Sequence, residues 1–284
     1  MKRYWVGAIA GLVVLVVGII WQWPDGKVHL VACDVGQGDG ILIWRGSAQV
    51  VVDGGPDKKI IDCLSRFVPF WDRSIELMVL THPEADHVTG LVEVLGRYQV
   101  GQLVVSNVAK DTAIFKKFKN KVVENGVPVH IAMAGQEMRI NGLEFEIVNP
   151  PIGGSNEERV LGAKIMEEGV NETSVVLRLK YGQFRALLTG DIGSETETLL
   201  VNSARDLHSD ILKLGHHGSK YSSTEAFLRA VKPQLAVISV GKNNYGHPTK
   251  EALERLKVAG AKIMRTDQDS DVEVVSDGEK MWVR

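Results

Sequence analysis

A surplus of positive charge is missing from this chain. Its 33 lysines and arginines stand against 35 acidic residues, and the net charge of about −2 excludes attraction of the whole molecule to nucleic acid. Cysteine is scarce: Cys33 lies in a strand-like pattern and Cys63 in a helical one, which reads as two buried thiols compatible with either redox compartment. No short-period repeat is present. Only one long apolar run occurs, Trp5 to Trp21, so the chain cannot itself form a multi-helix channel. That run is uncharged, follows Lys2 and Arg3, and is just long enough to span a bilayer. The following Ile20-Trp21-Gln22-Trp23-Pro24 lacks a small-x-small cleavage site and instead offers Trp21 and Trp23 as interfacial anchors. The expected organisation is an uncleaved membrane anchor over residues 1–24 and one domain over residues 25–284. The basic N-terminal flank puts that domain outside the cytoplasm.

What the chain does have is polar chemistry at the ends of apolar strands. Leu77-Met78-Val79-Leu80 reads as a buried strand and Thr89 to Leu95 as the continuation of a helix. Between them, Thr81-His82-Pro83-Glu84-Ala85-Asp86-His87 puts two imidazoles and two carboxylates within six residues. Neutral imidazole nitrogens and carboxylate oxygens at this density suit a divalent cation, and without one the carboxylates repel each other. A plain helix-capping turn is the rival reading. The same context recurs further along. Phe184 to Leu188 runs into Thr189-Gly190-Asp191, and Asp210 to Leu214 into Gly215-His216-His217-Gly218-Ser219. Leu235 to Val240 runs into Gly241 and on to Tyr245-Gly246-His247-Pro248. Open sheets place their sites at such strand ends. Gly36-Gln37-Gly38-Asp39-Gly40 lacks the lysine and following helix of a nucleotide loop, and reads as a hairpin turn.

Together with Asp34-Val35-Gly36-Gln37-Gly38-Asp39 and Val52-Asp53-Gly54-Gly55, these motifs make the chain resemble the metallo-β-lactamase superfamily. Within it, the likeness is to the hydrolase domain of ComEC-type competence proteins, over roughly residues 28–284. The resemblance implies an αββα sandwich, as does the order of strands and helices read from the sequence, here preceded by one N-terminal transmembrane helix. It implies His82, Asp86, His87 and Asp191 as metal ligands, Asp191 bridging two metals, and His216 or His217 completing the coordination of the second metal. Glu84 stands where the superfamily's usual second histidine would be, as a carboxylate does in ComEC-type domains, and Asn171 stands where a further histidine is usual. The centre is therefore oxygen-rich, holding one or two ions of Zn2+ or Mn2+.

In this reading Asp86, or a carboxylate beside it, orients a metal-activated water, and His247, or whichever of His216 and His217 is not a ligand, protonates the leaving alkoxide. Ser219, Lys220 and Asn171 contact the substrate, and Asp34, Asp39 and Asp53 support the loops from behind. Lys213, Lys220, Lys242 and Arg265 are the cations available to line a phosphate groove, and Pro150 to Val170 reads as an inserted surface loop near the site. The expected function is an extracytoplasmic, membrane-anchored phosphodiesterase or nuclease acting on DNA, such as single-stranded DNA, or on a similar phosphodiester. A separate channel protein is the expected partner. The alternative is a non-catalytic or weakly catalytic metal-binding module of a DNA-uptake or envelope assembly.

Overall fold

The computed structural model describes residues 25–151, 164–166, 169–203 and 205–284. The apolar run of the expected anchor and most of the Pro150 to Val170 segment lie outside them. Among the described residues no helix is long and apolar enough to cross a membrane.

Fifteen strands build two large sheets. In chain order they are β1 (Val28–Ala32), β2 (Gly40–Arg45), β3 (Ala48–Gly54), β4 (Leu77–Leu80), β5 (Leu103–Val105), β6 (Val129–Ile131), β7 (Glu137–Ile140), β8 (Leu143–Asn149), β9 (Val176–Tyr181), β10 (Phe184–Leu188), β11 (Ile211–Lys213), β12 (Leu235–Ile238), β13 (Lys262–Arg265), β14 (Val272–Ser276) and β15 (Met281–Val283). The first sheet has the order β15-β14-β1-β2-β3-β4-β5-β6, and the second β7-β8-β9-β10-β11-β12-β13. Each sheet is antiparallel along one side and parallel along the other: β3 to β6 run parallel, as do β10 to β13. Six helices cover the outer faces: α1 (Lys59–Phe67), α2 (Ala85–Leu95), α3 (Ala113–Glu124), α4 (Ser194–Asn202), α5 (Glu225–Val231) and α6 (Lys250–Val258).

The period-two alternation of the strands sets the layers. Leu30, Ile43, Val50, Leu77 and Val79 of the first sheet meet Leu143, Phe145, Leu177, Leu179 and Leu188 of the second in a central core. The intervening residues of the first sheet, including Leu42, Val51, Met78 and Leu80, pack against Leu64, Leu91, Phe115 and Phe118 of its helices. On the second sheet Val176, Leu187, Leu212 and Ala236 do the same against Leu200, Phe227, Val231 and Leu256. This is the αββα sandwich.

Two segments depart from the sequence reading. Lys27 to Val52 forms three strands rather than a two-stranded hairpin, because Gly46 takes a positive φ of 61° and lets the chain turn once more. Val127 to Asn149 divides between the sheets: β6 closes the edge of the first, and only β7 and β8 form a hairpin, in the second. Cys33 and Cys63 are joined as a disulfide, with Cα atoms 5.9 Å apart, rather than left as two thiols. The bond ties the end of β1, just ahead of the Asp34–Asp39 turn, to the middle of α1.

The carboxyl ends of the parallel strands point to one pole of the sandwich. Thr81 and His82 follow β4, Thr189 to Asp191 follow β10, and His216 and His217 follow β11, so the polar motifs of both halves gather there.

Candidate metal centre

Helix α2 carries Asp86 and His87 in its first turn, and its position depends on missing side chains. A Cβ on Gly90 would overlap the Gly54 carbonyl oxygen, and one on Gly54 would lie 2.7 Å from the Gly90 carbonyl carbon. Helix and strand end thus touch backbone to backbone, and the Gly90 amide donates to the Gly55 carbonyl at 3.0 Å. Gly38, with φ at 139°, makes the same allowance for the Asp34–Asp39 turn where it passes the Asp86 carbonyl.

Asp53, buried at the end of β3, orients two imidazoles. One oxygen accepts from the Thr81 amide at 2.8 Å; the other accepts from the Thr81 hydroxyl at 2.7 Å and from His87 Nδ1 at 2.8 Å. Thr81 Oγ1 lies 3.0 Å from His82 Nδ1, so with its own proton committed to Asp53 it accepts from that ring. Both Nδ1 atoms are therefore donors, and both Nε2 atoms present lone pairs. On the other half, His217 Nδ1 donates to the Ser239 carbonyl at 2.9 Å, which leaves its Nε2 free in the same way. His82 Nε2, His87 Nε2 and His217 Nε2 are all buried without a hydrogen-bond partner.

These three nitrogens converge with two carboxylates. His217 Nε2 lies 3.2 Å from Asp191 Oδ2 and 3.4 Å from Asp86 Oδ2, while His87 Nε2 lies 3.5 Å from Asp191 Oδ2. His82, His87 and Asp191 form one group able to share an ion, and Asp86, His87 and His217 another. Asp39 stands behind them, 3.5 Å from His217 Nδ1, with its Oδ1 buried and unpartnered. Buried polar atoms left unpaired in such number, all aimed at one place, fit divalent cations held by imidazole and carboxylate.

Charge tells the same story. Asp39, Asp53, Asp86 and Asp191 face a single buried lysine, Lys213, whose ammonium pairs with Asp39, approaches Asp191 Oδ1 at 3.6 Å and donates to the Gly190 carbonyl at 3.1 Å. Burial opposes charge on His87 and His217, but Asp191 and its neighbouring carboxylates prevail. They raise His87 well above its ordinary range and His217 to about 9. Asp191 goes the other way: against burial, His217 and His87 hold its carboxyl well below the usual carboxylate range. His82 is pushed well below its ordinary value by burial and by the charge on His87. Burial raises Asp53. Without metal the pocket gathers protons to balance its carboxylates, and a divalent cation does the same work with directed bonds.

The other residues singled out in the sequence are placed as follows. Glu84 is turned away from the cluster into an ion pair with Lys110. His216 faces His247 edge-on at 5.5 Å, on the rim, so it is His217 of the pair that enters the cluster. Both residues of the pair hold left-handed backbone, φ 49° and 52°, the kind of strain that fixed loops at functional sites retain. Asn171 opens a short turn whose next residues touch the site: the Asp191 amide donates to Ser174 Oγ at 3.2 Å and the Val175 amide to the Thr81 carbonyl at 2.9 Å. The Ser219 hydroxyl accepts from the Tyr221 amide, and Lys220 lies over the Tyr221 ring at 5.0 Å. Asp34 accepts from the Gly36 amide and shapes the turn rather than the cluster.

The groove of four cations does not form: Lys213 is buried beneath the carboxylates and Arg265 is paired with Asp267. Sequence reasoning missed the roles of Thr81, Ser174, Gly54 and Gly90, none of which offers a metal ligand or a catalytic proton. The signal for the glycines was their place beside the motifs.

A four-layer sandwich with a histidine and aspartate cluster at the carboxyl ends of its parallel strands defines a metal-binding hydrolase scaffold. The chain belongs to the metallo-β-lactamase superfamily, whose family model matches residues 33–242. It is 27% identical over 286 residues to ComE operon protein 3 of Bacillus subtilis, covering 93% of this chain and 35% of that protein. With competence protein ComA of Neisseria gonorrhoeae it shares 29% identity over 250 residues, covering 86% of this chain and 32% of that one. The chain thus spans about a third of the length of these curated relatives. Among solved structures, the metallo-β-lactamase fold protein YhfI of Bacillus subtilis superposes with a TM-score of 0.55 at 10% identity, covering 86% of this chain and 98% of that one, which shows the shared fold.

Proposed function

We propose that this protein is a membrane-anchored, extracytoplasmic metal-dependent phosphodiesterase acting on DNA or a similar phosphodiester. The observation that carries the reading is the convergence of three buried, unpartnered Nε2 atoms on Asp86 and Asp191. His82, His87, His217, Asp86 and Asp191 would hold one or two divalent ions, Zn2+ or Mn2+. When bound, such ions supply an acidified water and charge neutralisation on a phosphoryl group.

The chain's own residues divide the remaining work. Asp86, on the solvent side of the cluster, accepts a hydrogen bond from the attacking water and fixes its direction. His247, on the rim beside His216, donates to the leaving oxygen. Burial and the neighbouring His216 and His217 lower its pKa and make its protonated ring the stronger acid. Lys213 holds Asp39 and the Oδ1 side of Asp191, so that Asp191 Oδ2 faces His87 and His217. The Cys33–Cys63 disulfide supports an oxidising compartment, in agreement with the charge order Lys2, Arg3 and then the apolar run. The competence-protein relatives support a role in competence, for which this reading implies a separate channel protein as partner.

The test is metal content by elemental analysis on residues 1–284 in detergent, wild type beside Asp191→Ala, with hydrolysis of single-stranded DNA and bis(p-nitrophenyl) phosphate followed on the same samples. Stoichiometric metal and turnover in the wild type, with both lost in the variant, is the expected result. Metal retained without turnover of either substrate overturns the phosphodiesterase in favour of a binding module.

A further inference from the structure

The pole opposite the metal centre carries its own chemistry. The first sheet fixes which residues lie there: β1 starts at this pole with Val28, β2 ends there with Arg45, and β3 starts there with Ala48. A chain of contacts leads across it from the first described residue. Asp25 accepts from His29 Nε2 at 3.0 Å, and His29 stacks on Trp44 with ring centroids 4.3 Å apart. Trp44 in turn meets Phe67, the last residue of α1, at 5.6 Å. Three residues beyond Phe67, the loop leading back to β4 exposes Phe70 and Trp71, 64% and 46% accessible, their rings edge to face at 4.9 Å.

These are the only adjacent large apolar side chains exposed among the described residues. Val123, Leu199 and Val258 stand singly on or beside helices, and Tyr221 and Tyr245 lie in loops at the other pole. Two cations flank the same end: Lys27, over the Trp282 ring at 4.9 Å, and Arg73, over the Tyr98 ring at 5.4 Å.

Exposed phenylalanine and tryptophan next to lysine and arginine are the composition of a bilayer interface, where an aromatic ring sits among headgroups and a cation meets anionic lipid. The chain enters the domain at this pole, directly after Trp21 and Trp23. We propose that this pole is a lipid-docking surface, with Phe70 and Trp71 seated in the headgroup region and the metal centre facing away from the bilayer. The proposal rests on the reading of residues 1–24 as a membrane anchor. The seven residues of β3 span the sandwich from this pole to Asp53 and Gly54, so the metal centre stands roughly 20 Å above the docked surface. It opens toward substrates arriving from the medium rather than toward lipid.

The experiment uses residues 1–284, anchor run included, in vesicles of phosphatidylethanolamine and phosphatidylglycerol. A photoreactive benzoylphenylalanine replaces Trp71 in one variant and Tyr245 in another; both positions are exposed and aromatic, so the fold is preserved. The expected result is that both variants float with the vesicles and that lipid labelling from position 71 exceeds labelling from position 245 at least fivefold. Equal labelling, or stronger labelling from position 245, in chains that float overturns the docking orientation alone. Chains that do not float overturn the anchored reading and the docking surface with it. Phe70→Ser with Trp71→Ser serves as a second variant: it keeps wild-type metal content, while a benzoylphenylalanine at Arg73 loses at least half of its lipid labelling in that background. Unchanged labelling there also overturns the proposal.

Discussion

The two halves of the sandwich bring histidines to the same place by different means. In the first, His82 and His87 are oriented by a side chain, Asp53, reached directly by one ring and through Thr81 by the other. In the second, His217 is oriented by the Ser239 carbonyl and by left-handed backbone at two consecutive residues. One half stores its geometry in a replaceable carboxylate and the other in the path of the main chain. The first half is therefore sensitive to single substitutions at supporting positions, whereas the second is tolerant of them.

The largest effect expected from breaking this comparison lies where α2 meets the first sheet. Gly90→Ala sets a methyl group against the Gly54 carbonyl, and backbone on both sides leaves nothing flexible to yield. The expected loss is about 3 kcal/mol of stability, a fall in Tm of roughly 6 °C in a calorimetric scan. A variant as stable as the wild type would show that the helix is free to shift. Next in size, Asp53→Asn keeps the shape but removes the charge that both rings lean on, and titration with a competing chelator should show metal affinity reduced about 10- to 100-fold. Its counterpart Ser239→Ala leaves the carbonyl in place and should bind metal within about twofold of wild type. Equal losses in the two variants would erase the distinction between the halves.

The remaining effect is in pH. The carboxylates around His217 raise it from 6.5 to about 9 in the metal-free fold. The stability its protonation contributes is therefore fully present below about pH 6.5 and lost as pH rises through 9. A bound metal requires the neutral ring and competes with that proton, so metal stabilises the fold least at low pH. The difference in Tm between metal-loaded and metal-free protein should widen steadily between pH 6.5 and 9; a constant difference would mean that His217 carries no proton in the empty site.

Much of this was legible in the chain itself, because a strand followed at once by clustered histidine and aspartate leaves few alternatives for where those side chains point. His82, Asp86, His87 and Asp191 come together from motifs more than 100 residues apart. What was not legible depended on neighbours that are distant in sequence. Glu84 looks like a ligand by spacing, but Lys110, on the loop after β5, takes it. Lys213 reads as a free cation beside the paired histidines, yet its short strand is buried on both faces and its ammonium ends among carboxylates. Nothing local in Gly215 to Gly218 distinguishes His216 from His217; the Ser239 carbonyl on the neighbouring strand does. The Cys33–Cys63 bond likewise required knowing that α1 lies across the end of β1.

The contact between Gly54 and Gly90 has a consequence for how such a site is inherited. Neither residue offers a ligand, a proton or a charge, yet any larger residue at either position forces the helix away from the sheet and carries Asp86 and His87 with it. The position of the reactive groups is thus written partly in atoms that are absent. A variant that preserves every histidine and aspartate while filling that seam would hold the complete chemical inventory of the site in an arrangement unable to use it.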